Sequence, residues 1–395
     1  MTTDDSVYLL SCARTPIGSM LGVFSPVAAP QLGAVAIRAA VERAGLEAAD
    51  VDEVLMGNVL MAGQGQAPAR QAALGAGLPR SVPCTTVNKM CGSGLKTLML
   101  AVDAIRAGSA ERVVAGGMES MTNAPYLIPR ARGGYRYGHA ELLDHMALDG
   151  LEDAYEKRTP MGVYAERTAT KYGFSRAEQD AFAVESLTRT QRATADGRFD
   201  WEIVPVEVAG KSGAQSVRRD ETPSRAKAEK IPNLKPAFAR DGTVTAASSA
   251  SISDGAAAVV AVSAAAARRL DAKPLARVLG HATHARSPDE FTLAPIHAIG
   301  RLLQRLDWQA GDVDCWEINE AFAVVAMAAI REHRLDPARV NIHGGACALG
   351  HPIGASGARL VATLLGALRA SGGKRGIASL CIGGGEAVAL AIEML

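Results

Sequence analysis

SGLKTLMLAVDAIRAGSAER (residues 93–112) and SGARLVATLLGALRASGGKR (residues 356–375) are two versions of one stretch. Ser93-Gly94 matches Ser356-Gly357, Arg106-Ala107 matches Arg369-Ala370, and Arg112 matches Arg375, an offset of 263. A second pair, residues 36–52 and 298–314, repeats at an offset of 262. There Ala36-Ile37 matches Ala298-Ile299, Arg43 matches Arg305, and Asp50-Val51-Asp52 matches Asp312-Val313-Asp314. Charged positions agree as well as the alanines do, which two unrelated Ala-rich helices would not require. An internal repeat constrains architecture before any local assignment is made.

Each copy runs in the same order: amphipathic helix, Asp-Val-Asp, short apolar strand, Gly-containing turn, apolar helix, second strand. The strands are expected near Val54–Leu60 and Arg112–Gly116 in the first copy, and near Cys315–Asn319 and Gly376–Ile382 in the second. Such alternation argues for α/β layers with helices covering a buried sheet. The Ala- and Gly-rich helices suit burial between two sheets, where bulky side chains would not pack. The segment between the copies, about Ser120 to Ser249, is richer in charge, Pro and Tyr and reads as an inserted lobe. In it, RARGGYRYGH (residues 130–139) is a strand-turn-strand candidate. SRAEQDAFAVESLTRTQRATADG (residues 175–197) is a helix with a Ser175/Glu178 capping box and Gly197 as its stop. Asp254–Val262 reads as the strand returning from the lobe. The domains expected are thus an N-terminal half, 1–119 with the returning segment 250–271, an inserted loop domain, 120–249, and a C-terminal half, 272–395.

Composition excludes several function classes. The 395 residues suit two or three domains. Lys+Arg 42 against Asp+Glu 41 leaves a net charge of +1, with no footprint for nucleic acid or an anionic membrane. The longest Ala/Val-rich run without a charge, Gly255 to Ala267, is 13 residues, short of the ~20 that span a bilayer. MTTDDSVYLL at the start has no basic region before an apolar one, so no signal peptide is expected. Six cysteines, Cys12, Cys84, Cys91, Cys315, Cys347 and Cys381, lie far apart with no CxxC pair. They read as reduced thiols in a cytoplasmic protein, any special one being catalytic rather than structural. No metal site is expected, since the close pair His281 and His284 has no thiol or carboxylate ligand at suitable spacing.

Four strings carry chemistry. Cys91, in VNKMCGSGLKTLML (residues 87–100), is expected at a helix N-terminus, where free N–H groups and the dipole favour thiolate and lower its pKa. The same N–H groups would make an oxyanion hole. His351, in NIHGGACALGHPIGASG (residues 341–357), sits in a tight Gly-rich loop that presents it, and His343 is expected to support that loop. Cys381 ends an apolar strand before three glycines, and Asn319 ends another before a helix. By the duplication all are strand-to-helix turns, so they could converge on one crevice outside the strand ends. One thiolate can hold an acyl group and the second can move a proton at the carbon α to a thioester. A neutral His and an Asn-held water can polarise the carbonyl. The set suits reversible acyl transfer between thiols with carbon–carbon bond formation.

At these residues the sequence resembles the thiolase family. VNKMCGSGLK, VAGGMESM (residues 114–121), NEAFAV, GHPIGASG and CIGGG match its motifs, with weaker matches in LKPAF (residues 234–238) and GTVTA (residues 242–246). NIHGGA and Phe291 bring it nearest to the biosynthetic and mitochondrial-type acetoacetyl-CoA thiolases. The resemblance implies a five-layered αβαβα core from two βαβαβαββ halves, with an inserted loop domain. It makes Cys91 the acylated nucleophile, His351 its base and Cys381 the acid/base at the α-carbon. Asn319, through a water, and His351 would form one oxyanion hole, and the N–H groups of Cys91 and Gly383 the other. It implies acyl-CoA and CoA as substrates, no metal or organic cofactor, and a dimer or tetramer. GYRYGHAELLDHM (residues 134–146) resembles the segment that joins dimers into a homotetramer. Phe238, Ala246, Ala250, Ser251, Phe291 and Phe322 would border the acyl-CoA, with Arg225 and Lys230, from a basic run with Lys227 and Lys235, near its phosphates.

Some residues depart from the pattern. SSAS (residues 248–251) has Ala250 where the family usually has a Ser for the pantetheine arm. Pro160 replaces a common His before MGVYAE (residues 161–166), and Tyr164 a small residue. Glu386 follows CIGGG where Met or Gly is usual, and Phe291-Thr292-Leu293-Ala294 replaces a Met-Gly turn. The alternatives are a thiolase for longer or branched chains and a non-catalytic lipid-binding relative. A decarboxylating ketoacyl synthase of the same fold would lack Cys381.

Overall fold

A computed structural model of the chain describes residues 5–210 and 213–395. The expectation about a signal peptide falls partly on residues 1–4, outside that description. The repeat is written in the hydrogen bonds. Asp52 Oδ2 accepts from the N–H groups of Glu111 (3.0 Å) and Arg112 (2.8 Å). Asp314 Oδ2 accepts from those of Lys374 (2.8 Å) and Arg375 (2.9 Å). The second Asp of each Asp-Val-Asp string thereby aligns the start of a neighbouring strand, in both copies alike. The first Asp of each, Asp50 and Asp312, folds back onto the N–H of Glu47 and Gln309 to close a short 3₁₀ turn.

The strands Cys84–Val87, Glu53–Gly57, Arg112–Ser120, Ser253–Ser263 and Val7–Arg14 lie side by side in that order. The second copy repeats it with Cys315–Ile318, Arg375–Ile382, Glu386–Met394 and Ala276–Ala285. Where the first copy has its outermost strand, the second has a single bridge from Trp316 to Val340. The halves join edge to edge where Val7–Leu9 pairs antiparallel with Ala276–Val278. With Gly18–Ser19 paired to Ser253–Asp254, the ladder is one ten-stranded sheet.

Helices sort this sheet into layers. Ala29–Arg43 and Pro68–Gly75 cover the outer face of the first half. Ala294–Leu306 and Ala323–His333 cover that of the second. Between the halves, Ser93–Arg106 and Ile353–Ser371 pack with inward side chains from both, such as Val113, Leu380 and Ile392. The order is helix, sheet, helix, sheet, helix, the predicted five-layered α/β core. Residues 353–368 of the second central helix are all buried, which explains its small side chains. A Cβ on Gly357 would lie 2.1 Å from Leu95 N, and one on Gly94 2.8 Å from Ala358 N. The matched glycines let the two copies of the helix cross backbone against backbone.

In the inserted segment, Arg176–Ala195 is helical, Ser175 Oγ accepts from Glu178 N, and Gly197 takes φ +67, as the sequence predicts. The segment is tied to the core by buried Arg14, whose guanidinium grips Asp220 at 2.8 and 3.0 Å and Glu202 at 2.5 Å. One expectation is corrected. Residues 130–139 form no hairpin: Tyr126–Leu127 pairs with Leu143–Asp144, and the residues between are a long exposed loop holding a 3₁₀ turn, Ala131–Gly133. Its Gly-Gly marks a turn, but the flanking Arg and Tyr residues have no buried face to pair on. Among the described residues no helix is long and apolar enough to cross a membrane.

Candidate active site

Cys91 is delivered by a braced turn. After strand Cys84–Val87, Asn88 Oδ1 accepts from Met90 N (3.0 Å). Ser93 Oγ accepts from Lys89 N (2.8 Å) and donates to Met90 O (2.6 Å). Met90 is held at φ +48, a conformation costing a non-Gly residue about 1–3 kcal/mol. Cys91 therefore sits just before Gly92, the N-cap of helix Ser93–Arg106, half-buried. Its own N–H and that of Gly383 face the sulfur and favour the thiolate, but burial outweighs them, and the thiol is pushed up to about 11. The carboxyl of Glu119 acts in the same upward direction. This corrects the expectation of a lowered pKa: removal from water costs the thiolate more than the donors return. At neutral pH the group is a thiol.

His351 is held in a tight loop with one ring nitrogen free. It lies between Gly350, at φ +105, and Pro352, the N-cap of helix Ile353–Ser371. Its backbone N–H donates to Ser251 O (3.0 Å). Ser356 Oγ donates to Pro352 O (3.0 Å) and lies 2.5 Å from His351 Nδ1. With its proton so used, Ser356 accepts, which places hydrogen on Nδ1 and leaves the Nε2 lone pair free. Nε2 is buried and without a partner among the described residues. Burial, assisted by the Arg359 charge, lowers the imidazole to about 3, so it is neutral.

Asn319 follows strand Cys315–Ile318 and anchors its N–H on Ser379 O (3.0 Å). Arg359 Nη2 lies 3.4 Å from its Oδ1, so the amide oxygen faces the guanidinium and Nδ2, buried and without a partner among the described residues, is the free donor. Arg359 also pairs with buried Glu317 at 3.4 Å, and burial raises that carboxyl to about 8. Cys381 is fully buried at the end of strand Arg375–Ile382. Burial raises its thiol well above the ordinary range, and the neighbouring Cys91 raises it further. Gly383, whose N–H reaches Cys91, comes two residues later.

Around Cys381 lies an aromatic cluster. Phe322 meets Phe238 at 5.8 Å and Phe291 at 6.4 Å between ring centres, edge to face, and Tyr164 meets Phe291 at 6.2 Å. The 248–251 loop is stitched to the turns of Asn319 and His351: Ala250 N donates to Ala321 O (3.0 Å), and Ser251 O accepts from His351 N. A cavity of about 340 Å³ is lined by Arg225, Lys227, Lys230, Ala246, Ser251 and Cys347, among others. Lys235 is exposed and lies outside that lining. A larger cavity, about 490 Å³, between helices Arg176–Ala195 and Ala323–His333, contains none of the candidate residues. His343 is buried against Phe199 with rings edge to face at 5.9 Å.

Sequence reasoning missed Ser356, Arg359 and Glu119. Glu119 accepts from the N–H groups of Val59 (3.0 Å), Leu60 (3.1 Å) and Gly354 (2.9 Å) and from Asn58 (2.8 Å). It thereby holds the start of the His351 helix, and burial raises it to about 7. The signal was present for two of them: Arg359 and Glu119 are single charges inside apolar strings. Ser356 was read only as a repeat match.

Residues 7–265 match the family model for the thiolase N-terminal domain, and residues 272–394 the one for the thiolase C-terminal domain. The chain belongs to the thiolase family. It is 51% identical to acetyl-CoA acetyltransferase B, mitochondrial, of Xenopus laevis, over all of this chain and 93% of that one. It is 48% identical to an acetyl-CoA acetyltransferase of Schizosaccharomyces pombe, over 98% of each. Among solved structures it resembles Acat5 thiolase from Ascaris suum, crystallised in complex with coenzyme A, at a TM-score of 0.93 and 43% identity, over 99% of this chain and all of that one.

Proposed function

We propose that the protein is an acetyl-CoA C-acetyltransferase that joins two acetyl-CoA molecules, or cleaves acetoacetyl-CoA with CoA, through an S-acyl-Cys91 intermediate. The observation that carries this is the Gly383 N–H, from the loop after Cys381, facing the Cys91 sulfur alongside Cys91's own N–H. Two thiols, one donor pair and one free imidazole nitrogen then serve one substrate.

In thiolysis, His351 Nε2 takes the Cys91 proton as sulfur attacks the β-keto carbonyl. The oxyanion forms at the N–H groups of Cys91 and Gly383. The Cα–Cβ bond breaks, its electron pair enters the enolate of acetyl-CoA, and Cys381 protonates that carbon. Asn319 Nδ2, through a water, and His351 stabilise the enolate oxygen. His351 passes its proton to the Cys381 thiolate, which resets both groups; the CoA sulfur then attacks the acyl carbonyl as His351 takes the thiol proton and returns it to the departing Cys91 sulfur. Condensation is the reverse. CoA is a substrate; its arm is assigned to the cavity of Arg225, Lys230, Ala246 and Ser251, beside Ala250, and the acyl end to Phe238, Phe291 and Phe322. No metal or organic cofactor is assigned a role.

Three further assignments belong to this reading. The domains are 1–119 with 250–271, 120–249, and 272–395. The oligomer is a homotetramer assembled through residues 134–146, supported by the exposure of Tyr135, Tyr137 and Leu142. The compartment is the cytoplasm, supported by six free thiols. The test is CoA-dependent loss of acetoacetyl-CoA, beside a longer β-ketoacyl-CoA, with Cys91→Ala as control. Rapid loss of the short substrate, abolished in the control, is expected. Loss of only the longer one moves the enzyme to larger acyl chains, and loss of neither rejects the activity.

A further inference from the structure

The residue whose N–H faces the Cys91 sulfur lies in a glycine turn between two strands. Gly383 opens a run of three glycines in which Gly384 and Gly385 take φ +94 and +91. Among the described residues, a Cβ at Gly384 would meet nothing within 4 Å, and one at Gly383 would meet only Met161 Sδ at 3.7 Å. On one side the loop is held by Arg286 N donating to Gly385 O (2.8 Å). On the other, Glu386, which pairs with Ile382 across the turn, forms an ion pair with Lys89, two residues before Cys91. Lys89 is itself fixed, its N–H donating to Ser93 Oγ (2.8 Å). The contact therefore ties the Cys91 turn of the first repeat to the Cys381–Gly383 loop of the second.

We propose that the Lys89–Glu386 ion pair is a positioning clamp that holds the Gly383 N–H against the Cys91 sulfur. The inference rests on Cys91 being the nucleophile. The clamp acts through geometry: the side-chain charge acting on the Cys91 thiol is that of Glu119, not of either clamp residue. Both clamp side chains are about one-third exposed or less (28% and 33%), so the attraction is only partly screened by solvent. Both act through Gly383.

The test uses the full-length enzyme with Glu386→Gln, Lys89→Gln and the charge swap Lys89→Glu/Glu386→Lys. Two quantities are read: kcat and KM for acetoacetyl-CoA, and the pH profile of Cys91 alkylation by iodoacetamide. In the single variants kcat should fall about tenfold with KM little changed, short of the ~10²–10³ that deleting an oxyanion donor costs. The alkylation midpoint should rise by about half a pH unit, because one thiolate-favouring N–H has moved away. The swap should restore both. An unchanged alkylation midpoint in both single variants overturns the clamp, even if stability drops, and so does a swap that restores neither quantity. Alkylation is read without turnover, so a wild-type enzyme inactive on acetoacetyl-CoA refutes the substrate and leaves the clamp to be judged on the midpoint.

Discussion

Ser356 Oγ lies 2.5 Å from His351 Nδ1 and 3.0 Å from Pro352 O, so one hydroxyl sets the tautomer of the base. The serine is one helical turn into the helix whose first residues follow the histidine, so the ring and its orienter move as one body. Ser356→Ala leaves Nδ1 unpaired in a buried place and lets the ring turn. We expect kcat to fall roughly tenfold to a hundredfold, less than the ~10²–10⁴ attributed to a proton-transfer group itself. The ¹⁵N shifts of His351 should show a mixed tautomer in the variant. A single, unaltered tautomer would show that Ser356 does not control it.

The role proposed for Cys381 separates it from acyl transfer. In Cys381→Ala, acetyl-CoA should still acetylate Cys91, seen as a mass increase on the Cys91 peptide, and label should still exchange between CoA and acetyl-CoA. Thiolysis of acetoacetyl-CoA should drop by about 10² or more, because the enolate carbon has lost its proton donor. Loss of exchange together with thiolysis would place Cys381 in the acylation step instead.

Glu119 makes stability depend on pH with a definite sign. Its carboxyl titrates near 4.5 when solvated and about 7 in the fold, so the native state holds the proton longer than the unfolded chain. The contribution is complete below about pH 4.5 and is lost as pH rises through 7, amounting to about 3 kcal/mol. His351 works the other way: its neutral form is favoured in the fold, and stability is lost as pH falls from about 6.5 toward 3. Urea midpoints measured from pH 4.5 to 8 should fall less steeply with rising pH in Glu119→Gln than in the wild type. Parallel curves would mean the carboxyl is ionised in the fold.

Gly357→Ala tests the helix crossing. The new Cβ would sit 2.1 Å from Leu95 N, against backbone that cannot rotate away. Overpacking of this kind costs about 1–3 kcal/mol, and more where no side chain can yield. The urea midpoint should drop accordingly. Gly372→Ala, at φ +69 with nothing near its Cβ, should lose stability by backbone strain alone and leave kcat intact. An undisturbed Gly357→Ala protein would refute the close crossing.

What the sequence determined alone is what depends on pattern along the chain. The repeat of Asp50-Val51-Asp52 in Asp312-Val313-Asp314 carries the same backbone bonds in both copies, so one reading served for two halves. The turns of Cys91 and Asn319 were legible as strand-to-helix turns because glycines and strand ends are local signals, whereas His351 follows the short helix Ala346–Leu349 and Cys381 leads through a glycine turn into strand Glu386–Met394, so the expectation of a strand-to-helix turn fails for those two. Two things were not local. The pairing of Val7–Leu9 with Ala276–Val278, about 270 residues away along the chain, left no mark in either strand, since any two apolar edges can pair. The protonation state of Cys91 was misread because a helix N-terminus is visible in sequence and burial is not. Only the tertiary structure brings Glu119, Gly383 and the apolar walls around that sulfur, and desolvation by the whole surround exceeds what two N–H donors return. For the same reason Ser356 and Arg359 acquire roles only once His351 and Asn319 are folded against them.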